Sequence, residues 1–188
     1  MNTEQGKILL PIARAAISQV LDVPYTADEN APWLTEHGAC FVTLTQHGEL
    51  RGCIGTLQAH RPLLEDVKTN AVAAALHDPR FPALRVAELD YTEVEISLLS
   101  PATAMVFNDE NDALAQLRPG VDGVIFQYGH YRSTFLPQVW EQLPQPREFM
   151  AHLKHKAGLS PAFWSEDVKL SRYSVVKWRE ADFSGQGQ

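Results

Sequence analysis

The chain lacks most of the features that would announce a compartment, a scaffold or a charged partner. Its 188 residues contain only two cysteines, Cys40 and Cys53, too few for a disulfide framework, and in a reducing cytosol both are expected as thiols. No apolar run approaches the roughly 20 residues that a membrane helix needs, and the N-terminus does not show the charged, apolar and small-residue succession of a signal peptide. The expected location is therefore cytoplasmic, with no membrane. Sixteen basic residues face 23 acidic ones, a net charge of -7, and no basic run stands out, so nucleic acid is excluded as an expected partner. Phosphate loops of the Gly-x-x-x-x-Gly-Lys and Gly-x-Gly-x-x-Gly types and the Gly-x-Ser-x-Gly elbow are all missing, which removes support for nucleotide-dependent chemistry and for ordinary serine hydrolysis. No cofactor is expected. His37, His47, His60 and His77 lie at no metal-ligand spacing with each other or with the cysteines. His152 and His155 read as a cationic helix end, so no metal is expected either.

What is present centres on Leu50-Arg51-Gly52-Cys53-Ile54-Gly55-Thr56-Leu57. A glycine inside an apolar, β-branched run marks a bulge or the close approach of a backbone or ligand. Gly52 and Gly55 flank the thiol on both sides and leave space beside it for a ligand. In an extended strand Arg51 and Cys53 share a face, and a guanidinium nearby favours the thiolate. Ala39 to Thr45 pairs with this stretch through the turn at His47-Gly48. A two-residue turn sets Cys53 opposite Val42 and Cys40 opposite Gly55, with the cysteines diagonal on one face.

Elsewhere, helical spacing predicts a first helix from Thr3 to Leu21, kinked at Pro11 or starting near Leu10, and a second from Pro62 to Leu76 with Leu63, Leu64, Val67, Ala71 and Ala75 inward. Tyr91 to Leu99 alternates as a strand, presenting Glu93 and Glu95 on one face. A short strand at Ala104–Phe107 and a helix from Asn111 to Leu117, capped by Asn108 or Asp109, follow. Val124–Tyr128 and Tyr131–Leu136 form a second hairpin, Arg147–Ala157 a helix closed by Gly158, and Val168–Trp178 a last strand. Residues 181–188 read as a frayed tail. The fold class is α+β, with a mainly antiparallel sheet flanked by helices.

Six separated blocks carry a resemblance over essentially the whole chain: Phe41-Val42-Thr43-Leu44, Leu50 to Gly55, Asp78-Pro79-Arg80-Phe81, Glu95 to Pro101, Thr134 to Trp140, and Lys156-Ala157-Gly158-Leu159. In this order they closely resemble the AMMECR domain family, known in bacteria and archaea as AmmeMemoRadiSam system protein A. The resemblance implies one AMMECR-type domain over residues 1–188 with a larger and a smaller lobe. It also implies association with a Memo-type protein and a radical S-adenosylmethionine protein, and it supplies no activity. Some members carry a cysteine where this chain has Lys154, so Cys53 is the one motif thiol here.

The candidate site joins these readings. Cys53 is the candidate nucleophile or redox group, Arg51 its activator, and Glu95 an acid or base. Gly52 and Gly55 give room for a small polar or anionic molecule, which Arg132, Ser133 and Thr134 on the second hairpin bind. The rival expectation is a binding or adaptor module that docks a partner on the glycine-flanked hairpin, with the thiol packed as a small hydrophobe.

Overall fold

The computed structural model describes residues 3–185. It is an α+β fold whose chain divides into two compact units: residues up to 99 together with those from 176 onward, and residues 100–175 between them. Each unit has its own four-stranded sheet and its own buried cluster.

In the first unit, α1 (Thr3–Val20) buries Leu9, Ile12, Ala13, Ala16 and Ile17, a stripe at helical spacing. The helix runs unbroken through Pro11, where a kink or a later start was expected. The proline removes one backbone donor and the apolar stripe continues on both sides of it. Strands β1 (Ala39–Gln46), β2 (Glu49–Gly55), β3 (Thr92–Leu99) and β8 (Val175–Arg179) form the sheet in the order β2-β1-β3-β8, so β2 is an edge. Helix α2 (Leu63–Leu76) follows the hairpin, with Pro62 at its N-cap. Cys40, Val42, Leu44, Val94 and Ile96 alternate onto the sheet face that packs with Val67, Ala71 and Ala74 of α2 and with α1. Phe41, Thr43, Thr45, Glu93 and Glu95 take the opposite, half-buried face.

Two polar side chains sit within the buried stripe of α2, where periodicity marks only apolar ones. Asp66, 0% exposed, accepts hydrogen bonds from Cys40 N–H (2.9 Å), Thr56 Oγ1 (2.7 Å), Arg61 Nε (2.8 Å) and Asn70 Nδ2 (3.1 Å). Asn70 also donates to the Cys40 carbonyl (3.0 Å). The Cys40 N–H is thereby satisfied from the helix, while its carbonyl accepts from both Asn70 and the Thr56 N–H (3.0 Å).

In the second unit, β4 (Thr103–Ala104), β7 (Lys169–Tyr173), β5 (Gly123–Tyr128) and β6 (Tyr131–Phe135) pair antiparallel in the order β4-β7-β5-β6. Helices α3 (Glu110–Gln116) and α4 (Pro146–Lys156) complete it. Asp109 caps α3 by accepting from Asp112 N–H at 2.8 Å, and Gly158 follows α4 at φ 94°. Phe149 stacks on Trp140 at 3.7 Å between ring centroids, in a cluster with Phe126, Met150, Leu153 and Leu170. Lys154 is 1% exposed; its ammonium meets Glu110 at 2.5 Å and lies 5.4 Å from the Trp164 ring centroid.

Two expectations are corrected. Val168–Trp178 is two strands in two sheets, β7 and β8, because the backbone of Ser174 pairs with Ser100: Ser174 N–H donates to Ser100 Oγ and Ser100 N–H to the Ser174 carbonyl, both at 2.8 Å. The strand expected at Ala104–Phe107 is shortened to Thr103–Ala104. Ahead of the tail expected to fray from 181, Glu180 opens a 3-10 turn, Glu180–Asp182, and binds Arg14 of α1 (2.9 Å from Nε); residues 186–188 lie outside the described residues.

Candidate functional site

The hairpin that carries Cys53 turns as its sequence dictates and then departs from it. His47 (φ 52°) and Gly48 (φ 81°) both take positive φ, the requirement of a two-residue type I′ turn. Gln46 accordingly faces Glu49 and Thr45 faces Leu50, but the next pair is Leu44 with Gly52. Arg51 is the extra residue of a β-bulge. Every later pair therefore shifts by one: Cys53 faces Thr43, not Val42, and Gly55 faces Phe41, not Cys40. A one-residue shift exchanges faces. Cys40 is fully buried on the helix side, where burial pushes its thiol far up, whereas Cys53 is half-exposed on the other side. The expected diagonal pair of cysteines does not exist.

The bulge also separates Arg51 from Cys53. The Arg51 guanidinium donates to Glu88 (Nε 3.2 Å, Nη2 3.4 Å), a carboxylate also reached by Gln46 (3.2 Å), which alternates with Leu44 on the helix side. Arg51 is 8% exposed, and its role as activator of Cys53 is corrected: its charge is spent on Glu88.

Cys53 is held by other residues. Its N–H donates to Asp78 Oδ2 (2.9 Å) and its carbonyl accepts from Arg80 Nη2 (3.4 Å), so both peptide groups point away from β1. Thr43 and Cys53 are thus a non-hydrogen-bonded pair, the kind that brings side chains closest, and Thr43 Oγ1 lies 3.2 Å from Cys53 Sγ. On its other side Thr43 faces Glu95 of β3. Cys53, Thr43 and Glu95 form one row across three strands. Two strand spacings put Cys53 and Glu95 about 10 Å apart, too far for direct proton transfer, so Glu95 can act only on a group lying over Thr43.

Asp78 is 4% exposed. The Arg80 guanidinium beside it, with the Cys53 and Arg80 amides, holds its carboxyl well below the usual carboxylate range against the opposing effect of burial. A depressed folded value means that this contribution to stability is complete above the unfolded carboxyl pKa of about 3.9 and is lost only as pH falls toward the lower folded value. The stability difference between the native chain and Asp78→Asn, measured by urea unfolding, should stay constant from about pH 5 upward and narrow in acid.

The space expected beside the glycines is filled by protein. A Cβ on Gly52 would lie 2.2 Å from the Ala74 carbonyl oxygen of α2, and one on Gly55 would lie 2.2 Å from the Phe41 ring. Both expectations of ligand space are corrected: close backbone and ring packing explain the two residues. In the second unit Ser133 is buried and donates to the Leu153 carbonyl (2.6 Å), and Thr134 pairs with the Tyr173 hydroxyl (3.0 Å). These hydroxyls are used within the fold. Arg132 is exposed, with Gln127 Oε1 at 3.5 Å.

Two concavities of the first unit, about 260 and 370 Å³, lie at Leu10, Pro11, Tyr25 and Phe183 and at Leu34, Pro62, Leu64 and Lys68 respectively; Cys53 lines neither. Among the described residues no three His, Cys, Asp or Glu side chains converge as a metal site would require. The residues missed from sequence are Thr43 and Asp78. Thr43 reads as one more β-branched strand residue and Asp78 as a turn former before Pro79, and neither carries a local signal of contact with a thiol 10 or 25 positions away.

Comparison with known proteins agrees with this architecture. Protein MJ0810 of Methanocaldococcus jannaschii is 36% identical over 99% of this chain and 95% of its own length. A protein of Methanothermobacter thermautotrophicus is 33% identical over 96% of both. The crystal structure of the uncharacterized protein PH0010 from Pyrococcus horikoshii superposes with a TM-score of 0.76 at 33% identity, covering 94% of this chain and 92% of that one. The AMMECR1 family model matches residues 10–178, a span from α1 through Trp178 that includes the whole Cys53–Thr43–Glu95 row, and the chain belongs to the AMMECR1 family.

Proposed function

We propose that this protein is a cytoplasmic cysteine-dependent enzyme, or the cysteine-bearing component of one, acting on a small polar or anionic molecule at the sheet face of its first unit. The observation that carries this reading is the half-exposed thiol of Cys53, 3.2 Å from a hydroxyl and in line with a carboxylate. Cys53 is the nucleophile or redox group, and Thr43 orients its sulfur. Glu95 is the acid or base for a molecule lying over Thr43. A Memo-type protein and a radical S-adenosylmethionine protein are the partners that this reading takes over from the family resemblance.

The test is thiol reactivity in the folded chain. Iodoacetamide should alkylate Cys53 at least about tenfold faster than it alkylates free cysteine, leave Cys40 untouched, and slow severalfold on Thr43→Val. Alkylation of Cys53 at or below the rate of free cysteine would overturn the mechanism. The adaptor reading has an observation of its own, the protein packing that fills the space beside Gly52 and Gly55, which fits a hairpin built for shape. Cys53→Ala separates the two: loss of cellular function in a folded protein supports the enzyme, and retention supports the adaptor.

A further inference from the structure

β2 is an edge strand, and an edge presents backbone donors and acceptors that a fold must cover, charge or leave to another chain. At Cys53 both are covered, and by side chains. The segment His77-Asp78-Pro79-Arg80-Phe81-Pro82 leaves the end of α2 in a path stiffened by two prolines. Its two charged residues meet the cysteine backbone: Asp78 Oδ2 takes the N–H (2.9 Å) and Arg80 Nη2 gives to the carbonyl (3.4 Å). They also bind each other, Arg80 Nε to Asp78 Oδ1 at 3.0 Å and Nη2 to Oδ2 at 2.8 Å, while Arg80 N–H adds a third bond to Oδ1 at 3.0 Å. A carboxylate and a guanidinium thus replace a neighbouring strand at the residue that carries the thiol.

We propose that Asp78 and Arg80 are the positioning pair of Cys53: together they lock its backbone so that the sulfur stays beside Thr43, and their opposite charges, balanced while paired, set the field that a reagent meets on its way to the sulfur. This deepens the reading of Cys53 as the reactive group and rests on it for its functional meaning, but the geometry belongs to the pair itself. The Arg80 side chain is 55% exposed and that of Asp78 only 2%, so the cation faces incoming molecules and the anion stands behind it. The other titratable groups on the strands beside the cysteine are Glu95 across Thr43 and Arg51 on its own strand, turned to Glu88, and His77 directly precedes Asp78 in the chain.

The experiment compares an anionic with a neutral alkylating agent, iodoacetate with iodoacetamide, on the full chain at low ionic strength, reading the Cys53 peptide by mass spectrometry. Their rate ratio cancels the intrinsic reactivity of the thiol and reports the local charge. Arg80→Gln should lower the ratio about threefold by exposing the carboxylate, Asp78→Asn should raise it about threefold by freeing the cation, and the double variant should return to the native value. Arg80→Lys should keep the native ratio, and 1 M salt should erase every difference. Exchange of the Cys53 amide proton should quicken at least about tenfold in Asp78→Ala.

Equal ratios in the native protein and Arg80→Gln would overturn the proposal. Arg80→Gln alters an exposed side chain and so remains a folded test even if the Asp78 variants do not. Slow alkylation of Cys53 by iodoacetamide, with the opposed ratio changes intact, would sink the enzyme reading and leave the positioning pair standing.

Discussion

Gly52→Ala is expected to destabilise the protein by about 3 kcal/mol or more, the upper end of what overpacking costs. The reason lies in what the new methyl would meet. At 2.2 Å its neighbour is the carbonyl oxygen of Ala74, with the carbonyl carbon at 3.1 Å, and both are backbone in the last turn of α2. Relief requires moving a helix that also packs Val67, Ala71 and Ala75 into the core, or moving β2, which is tied to β1 on one side and to Asp78 on the other. Gly55→Ala is the control. There the methyl meets the base of the Phe41 ring, Cγ at 2.2 Å, so relief needs a turn about χ1 of one half-buried side chain but no movement of a helix, and the cost should be smaller, about 1–2 kcal/mol. Urea unfolding followed by circular dichroism should show a large fall in midpoint for the first and a small one for the second. Equal midpoints would show that α2 does not constrain the strand.

Asp66→Ala is expected to cost about 3–4 kcal/mol. Asp66 has no exposed surface and serves four donors. Removing it leaves the Cys40 N–H and one Asn70 bond without their acceptor in a dry interior, and an unpaired buried polar group costs about 1–3 kcal/mol. It also leaves Arg61 without its ion partner, and breaking a buried pair by one member is costlier than never having built it. Arg61 is 21% exposed at its side chain and can find water, which keeps the expected figure below the sum. Asp66→Asn should lose less, since one oxygen remains to accept. The same unfolding measurement decides the matter, and a loss below about 1 kcal/mol would mean that the start of β1 finds other partners.

These two residues show how far the sequence reaches. Asp66 stands one place before Val67 in a helix whose apolar spacing is plain, and nothing local distinguishes a buried acid from a solvated one: the difference is whether Cys40, 26 positions earlier, lies across from it. Gly52 is informative in sequence, because a glycine in a β-branched run implies close approach. Whether a ligand or a backbone approaches is settled only by where α2 lands. The same holds on the second hairpin, where Ser133 and Thr134 read as free hydroxyls until Leu153 and Tyr173 are placed against them.

By itself the sequence determined the α+β class, most of the helices, both hairpins with their turns, the cap on α3, the glycine after α4 and the family. All of these rest on periodicity or on residues a few positions apart. The tertiary structure decided which face each cysteine takes, that Arg51 serves Glu88, that Asp78 and Arg80 hold Cys53, and that the final strand is two. For the cysteines and Arg51 the physical reason is the bulge at Arg51, and for the rest it is partners far away in the chain. One extra residue in a strand leaves composition and alternation nearly unchanged, yet it exchanges the faces of everything beyond it, and only the hydrogen bonds to β1, three-dimensional from the outset, record where it falls.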